Sequence, residues 1–286
     1  MVKSGPGALV LSGANTYTGG LVVNAGEVRL DSAGMGAAAN VVTLNGGSLI
    51  ANAGTTAFTL AQLVGPTSAG TLFLRNTAAT PAAATITVGT GNAANTFLGT
   101  LAGNGTLVKS GTAALTLSGL VTTANNPNLT LDNGTVNFQL AGLGNSPFAP
   151  TAPVLANFGT GALVFGSTNA SANAVNLDLT NASATFGSLN VQVASATANT
   201  ITIGFGRSLT ITGNTTVGST KNTASTTNLT FAGAGTLNLN PGSAPFGVGV
   251  NPHGTSVNAH NVLTIGGLAQ NNFTLNGVIN GRGVGG

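Results

Sequence analysis

The chain has 286 residues, of which seven are Lys or Arg and four Asp or Glu, so charged residues make up 4% where an ordinary soluble domain carries about a quarter. That leaves few groups for proton transfer or metal binding, while 42% hydrophobic content excludes simple disorder. The seven cations form no cluster, Trp is absent and Tyr occurs once, which excludes the basic stripe with stacking aromatics of a nucleic-acid binder. Cys is also absent, so disulfides, thiolate metal sites and Cys nucleophiles are ruled out.

Along the chain the dominant signal is alternation. Leu9-Val10-Leu11 opens it, followed by Val28 and Leu30 between Glu27, Arg29 and Asp31. Leu115-Thr116-Leu117, Leu129-Thr130-Leu131, Val175-Asn176-Leu177-Asp178-Leu179, Ile201-Thr202-Ile203 and Leu209-Thr210-Ile211 continue it. Each places aliphatic residues on one face of a short strand and, in most, polar residues on the other. Turns intervene at Asn45-Gly46-Gly47, Gly103-Asn104-Gly105, Asn133-Gly134 and Gly233-Ala234-Gly235. No helix of ten or more residues is predicted, and no apolar run is long enough to span a membrane. Met1-Val2-Lys3-Ser4-Gly5 has no apolar core of a secretion signal, so any export signal is expected elsewhere. Pro147, Pro150 and Pro153 interrupt the alternation and mark a loop insertion around 141–175.

An internal repeat selects the architecture. Val2–Gly13 reads VKSGPGALVLSG and Val108–Gly119 reads VKSGTAALTLSG, nine of twelve positions being identical at an offset of 106. Repeated strand–turn units favour stacked rungs, each burying its apolar face only against its neighbours. With about 20–25 residues per rung, the chain makes about 12 rungs over about 60 Å.

The segment Val2 to Leu30 carries a more specific pattern: Lys3, Gly5, Leu9, Leu11, Ser12, Gly13, Asn15, Tyr17, Gly19, Gly20, Val23, Gly26 and a closing strand at Val28 or Leu30. It resembles the passenger-associated repeat of autotransporters, also called the autotransporter-associated β-strand repeat. Val41–Leu49 resembles that family's next rung, and Val108–Gly119 keeps the Lys-x-Gly opening but not the Asn-x-Tyr-x-Gly-Gly turn. The resemblance implies a right-handed parallel β-helix (β-solenoid) on a bacterial cell surface or in the extracellular space. The family's C-terminal membrane barrel is not in this sequence.

The tail Asn276-Gly277-Val278-Ile279-Asn280-Gly281-Arg282-Gly283 resembles Leu98–Gly105, which leads within three residues into Val108-Lys109-Ser110-Gly111. Tail followed by head therefore imitates a junction already inside the chain. The chain is expected either to be a segment of a longer solenoid or to stack head to tail. The head-to-tail contact would join Val2, Lys3, Ser4 and Gly5 to Gly277, Val278, Ile279, Asn280 and Gly281. A terminal rung covered by an ordinary loop is the plainer alternative.

Other motifs have plain readings. Glu27, Arg29 and Asp31 share one strand face and read as a solvated ion-pair row; Asp132 and Asp178 complete the acids, and a carbohydrate-cleaving β-helix would need several acids converging. His253 and His260 lie in a Pro/Gly/Asn-rich loop without a third ligand. Gly281–Gly286 fits a dinucleotide fingerprint by letter but has no following helix. Thr85-Ile86-Thr87, Thr200-Ile201-Thr202 and Thr210-Ile211-Thr212 read as ordinary outward strand threonines, not an ice-binding ladder. Corner asparagines are expected to hydrogen-bond between coils. Phe58, Phe73, Phe97, Phe138, Phe165, Phe186, Phe205, Phe231 and Phe273 read as core stack.

The expectation is thus one continuous solenoid over 1–286 with no cofactor, no metal and no enzymatic activity. It serves as an extracellular stalk or as a self-stacking filament or surface-layer subunit, its partner itself or neighbouring segments of a longer chain. An adhesin, through a loop such as Gly142–Phe148 and with surface glycans as partner, is the alternative, and a polysaccharide-cleaving enzyme a remote one. An outer-membrane barrel is disfavoured because aromatic girdles are missing.

Overall fold

In a computed structural model of the chain, residues 1–13, 15, 19–31, 41–118, 126–139, 155–166, 174–192, 195–217, 227–239, 246–248, 262–265, 268 and 270–273 are described. They contain 29 strands and no helix, and all strand pairs are parallel. The chain winds repeatedly around three sides of a prism.

The first side carries β1 (Val2–Lys3), β3 (Leu21–Val23), β5 (Val41–Leu44) and β8 (Gln62–Val64), then β11 (Asn95–Phe97), β14 (Leu115–Leu117), β16 (Gly134–Phe138), β19 (Val175–Leu179), β22 (Ser195–Ile203), β25 (Thr227–Gly233) and β28 (Val262–Ile265). A parallel bridge from Gly65 to Phe97 joins its four-stranded and seven-stranded parts into eleven stacked strands. At about 4.8 Å per coil that is a rod about 50 Å long. The second side holds β2 (Ala8–Leu11), β4 (Glu27–Leu30), β6 (Ser48–Ala51), β9 (Thr71–Asn76) and β12 (Thr100–Ala102). Further along it stand β17 (Leu155–Asn157), β20 (Ser183–Phe186), β23 (Ser208–Ile211), β26 (Thr236–Leu239) and β29 (Gln270–Phe273). The third side is one sheet of β7 (Ala57–Leu60), β10 (Thr85–Val88), β13 (Thr106–Lys109), β15 (Asn128–Leu131), β18 (Ala162–Phe165), β21 (Ser188–Val191), β24 (Thr215–Val217) and β27 (Phe246–Val248). This is a parallel β-helix.

Period-two alternation is what builds it. In strand after strand the buried residues are the aliphatic ones and their neighbours are half-exposed, as in Val175-Asn176-Leu177-Asp178-Leu179. Register then stacks like on like: Leu115 on Val136, Val136 on Leu177, Leu177 on Ile201, Ile201 on Phe231. Each coil therefore closes the apolar surface of the one before, and a coil alone would have no core. Phe158 is fully buried, its ring stacked on Phe186 at 4.3 Å and edge-on to Phe138 at 5.9 Å.

Coil length is uneven. On the first side, partners from Val2 to Val22, Leu21 to Val42 and Val41 to Gln62 are 20 or 21 residues apart. From Gly134 to Val175 the step is 41 residues, and from Asn228 to Val262 it is 34. Within the stretch 141–175, β17 and β18 take their places in register, while 141–154 and 167–173 lie outside the described residues.

Corners carry the polar economy of the fold. Asn45 Nδ2 donates to Asn24 Oδ1 at 2.8 Å, and Asn24 Nδ2 to Ser4 Oγ at 3.4 Å, a three-coil ladder between first and second sides. A second ladder runs from Asp31 through Asn52 to Thr77. Asn92 and Asn126, both at positive φ, accept from the next coil through their amide oxygens, at Thr112 N (2.9 Å) and Thr160 N (3.2 Å) respectively. Asparagine tolerates that backbone conformation better than most residues. The corner asparagines thus bond between coils as their positions in the sequence imply.

Candidate functional surfaces

The two copies of the repeat give the most distinctive local chemistry. Lys3 ends β1 and Lys109 ends β13, each followed by Ser-Gly. In the alternation of Thr106-Leu107-Val108-Lys109 the lysine falls in phase with Leu107 and points inward, with no accessible surface. Its ammonium donates to the carbonyls of Ser110 (2.7 Å), Gly111 (2.7 Å) and, one coil on, Asn133 (3.2 Å). Burial pulls its pKa down to about 8. Lys3 repeats the arrangement in half-buried form, donating to the carbonyls of Gly5 and, one coil on, Ala25 (3.2 Å). The residue after each next-coil acceptor is a glycine at positive φ, Gly26 at 75° and Gly134 at 71°. A Cβ on Gly26 would stand 2.5 Å from Lys3 Nζ, and one on Gly134 2.6 Å from the Thr112 carbonyl oxygen. Only glycine fits both the conformation and the space.

The acids do not converge. Glu27 and Arg29 project from the outer face of β4 and pair at 2.5 Å. Asp31, just past the strand, accepts instead from Asn52 Nδ2 at 2.9 Å. Asp178 faces outward on β19 and accepts from Thr180 N at 2.7 Å. Asp132 precedes Gly134, the partner of Val175, by two residues, and Asp178 follows Val175 by three. Asp132 thus sits in the corner ahead of β16 and Asp178 well along β19, at different places on the first side. Among the described residues no three His, Cys, Asp or Glu side chains form a group able to hold a metal. His253, His260, Gly277–Gly281 and the Gly281–Gly286 run lie outside the described residues.

The three Thr-x-Thr triplets fall on three different sides: Thr85–Thr87 on β10, Thr200–Thr202 on β22 and Thr210–Thr212 at the end of β23. They form no common plane. Of the phenylalanines, Phe58, Phe97, Phe138, Phe165, Phe186 and Phe231 are buried as expected. Phe73 and Phe205 are not core. Leu72 and Leu74 set the inward phase of β9, so Phe73 faces out, with the Arg75 guanidinium 5.0 Å above its ring. Phe205 sits at a tight turn between β22 and β23 and is 79% exposed. It keeps the phase of Ile201 and Ile203, but the glycines on either side of it, Gly206 at positive φ, turn the chain after β22, which is the signal that separates it from the others.

At the head, β1 and β2 have a partner on one side only among the described residues, and their outward Val2 and Val10 are 63% and 46% exposed. Elsewhere the connections from third to first side vary in length. They take one residue between β7 and β8, six between β10 and β11, five between β13 and β14, two between β15 and β16, nine between β18 and β19, three between β21 and β22, nine between β24 and β25, and thirteen between β27 and β28.

Residues 1–30 match the family described as passenger-associated-transport-repeat. No curated protein and no solved structure matches the chain. The repeat read from Val2–Leu30 is therefore an autotransporter passenger repeat, and such a repeat implies in general a secreted or cell-surface protein.

Proposed function

We propose that this chain is the stiff stalk of an extracellular, autotransporter-type passenger, and that its work is mechanical. The observation that carries this reading is the first side: eleven parallel strands stacked over a common apolar core, with one register shift between β22 and β25. Backbone ladders between coils resist bending and shear, and the stacked Leu, Val, Ile and Phe columns make adjacent coils fold together. The outer surface carries few charges, so neighbouring copies meet little electrostatic resistance. On this reading the chain catalyses no reaction, and turnover of any polysaccharide by the purified protein would count against it.

End-to-end growth is the second form of this reading: another coil, from a second copy or from the same longer chain, would pair with the outer edge of β1 and β2. Electron microscopy of the purified chain at neutral pH, over a range of concentrations, is the test. Long fibres with a repeat near 50 Å support a self-stacking filament or surface-layer subunit. Separate short rods support a stalk within a longer passenger. Compact or irregular particles at every concentration would sink both.

Adhesion is a second reading, favoured by the length of three connections between third and first sides, nine residues at 166–174, nine at 218–226 and thirteen at 249–261. Long connections on a rigid scaffold commonly carry binding residues. Glycan-array and cell-binding measurements decide it: retained binding after shortening 249–261 and 218–226, or no binding by the intact chain, would remove it.

A further inference from the structure

We propose that the lysine of each repeat copy is an internal cation clamp, tying the carbonyls of its own corner to the next coil, and that the corner vacated by the Lys109 side chain accepts a primary alkylammonium ion. The geometry is repeated independently in two places. In both, the ammonium reaches a carbonyl of the Ser-Gly-x turn and a carbonyl one coil on, 22 residues away for Lys3 and 24 for Lys109.

The corner needs a donor. The carbonyls of Ser110, Gly111 and Asn133 take no backbone N–H among the described residues, and the buried amide oxygen of Asn133 has no partner either. Oxygens outnumber donors there, and a buried carbonyl without a partner is costly. An ammonium group supplies three N–H bonds from one point. Its charge is met by carbonyl dipoles: β10, β14, β15 and β16 hold no ionisable side chain, and neither do the turns 89–94 and 110–114. The adjoining turn 132–133, before β16, carries one acid, Asp132. A Cβ on Gly89, in the preceding coil, would stand 3.4 Å from Lys109 Nζ, so the ammonium is enclosed by three successive coils.

The test is amide hydrogen exchange of the full chain, wild type against Lys109→Ala, Lys109→Met and Lys3→Met. Lys109→Ala keeps Cβ, so the vacated volume is that of propylammonium. The expected result is a loss of about tenfold or more in protection across β13 to β16, with β20, β23 and β26 unchanged. Propylammonium should restore protection in Lys109→Ala, and tetramethylammonium, which has no N–H, should not. Lys3→Met should lose protection in β1 to β4 alone. Wild-type protection in Lys109→Met, whose stem is retained, would overturn the clamp, as would rescue by both ions or by neither. If Lys109→Ala does not fold, Lys109→Met and Lys3→Met decide the clamp, and refolding of Lys109→Ala in propylammonium but not in tetramethylammonium decides the binding.

Discussion

The two repeat copies share nine of twelve residues, yet they turn different corners. Lys3 leads from the first side to the second, and Lys109 from the third side to the first. The ladder through Lys3 passes Val23 and Leu44, reaches Phe97 through Gly65, and arrives at Leu117, one side beyond Lys109. The difference teaches that the repeat encodes a corner and not a whole coil. A lysine, a Ser-Gly turn and a left-handed glycine one coil later suffice, wherever on the prism they fall. Their settings differ too: Lys3 lies half-buried at an edge, and Lys109 deep within the stack.

That contrast can be broken in graded steps. Gly134→Val should have the largest effect, about 4 kcal/mol lost, because a branched side chain meets both positive φ and the Thr112 and Gly111 carbonyls. The fall in urea midpoint measures it. Lys109→Met should cost about 3 kcal/mol at neutral pH by orphaning three buried carbonyls; an unchanged midpoint would mean the corner is held by packing alone.

Alkaline pH should act in the opposite sense. The folded pKa of Lys109 is about 8 against an unfolded value near 10.5, so between those values the unfolded chain binds more protons. Stability is therefore lowest, with respect to this group, below pH 8, and rises from pH 8 to 10.5 by about 3 kcal/mol. Midpoints measured through that window should rise in the wild type and stay level in Lys109→Met. Lys3→Met should cost only about 1 kcal/mol, since water can replace the lost donor at that half-buried site. Glu27→Gln should cost less than about 0.5 kcal/mol, its partner Arg29 being 39% exposed; a larger loss would show that the outer coils depend on surface charge.

Much of this was open to a reader of the sequence. Alternation alone placed Leu115 and Leu117, Val175 to Leu179, and Ile201 and Ile203 on the inside, because period two leaves one face to bury. The same period put Lys109 inward beside Leu107, but a charge is ordinarily assigned to the surface, and the three carbonyls that receive it come from a turn and from a coil not adjacent in sequence. Phe73 escaped for the converse reason: Leu72-Phe73-Leu74 is apolar on both faces, and only pairing with β6 and β12 fixes which face is inner. The corner each repeat turns was hidden by coil length. An offset of 106 is close to five short coils, but the step from Gly65 to Phe97 takes 32 residues and shifts the phase by one side.

Uneven coil length has a mechanical consequence. Every coil adds the same rise to the rod, yet the amount of chain stored in that rise differs about twofold, from 20 residues between Val2 and Val22 to 41 between Gly134 and Val175. Pulled from its two ends and unravelled coil by coil, the chain would release roughly 7 nm of contour at the short coils and roughly 14 nm at the longest. Tension would thus meet two kinds of reserve along one rod: closely spaced small yields near Lys3, and wider, more dissipative ones beyond Lys109.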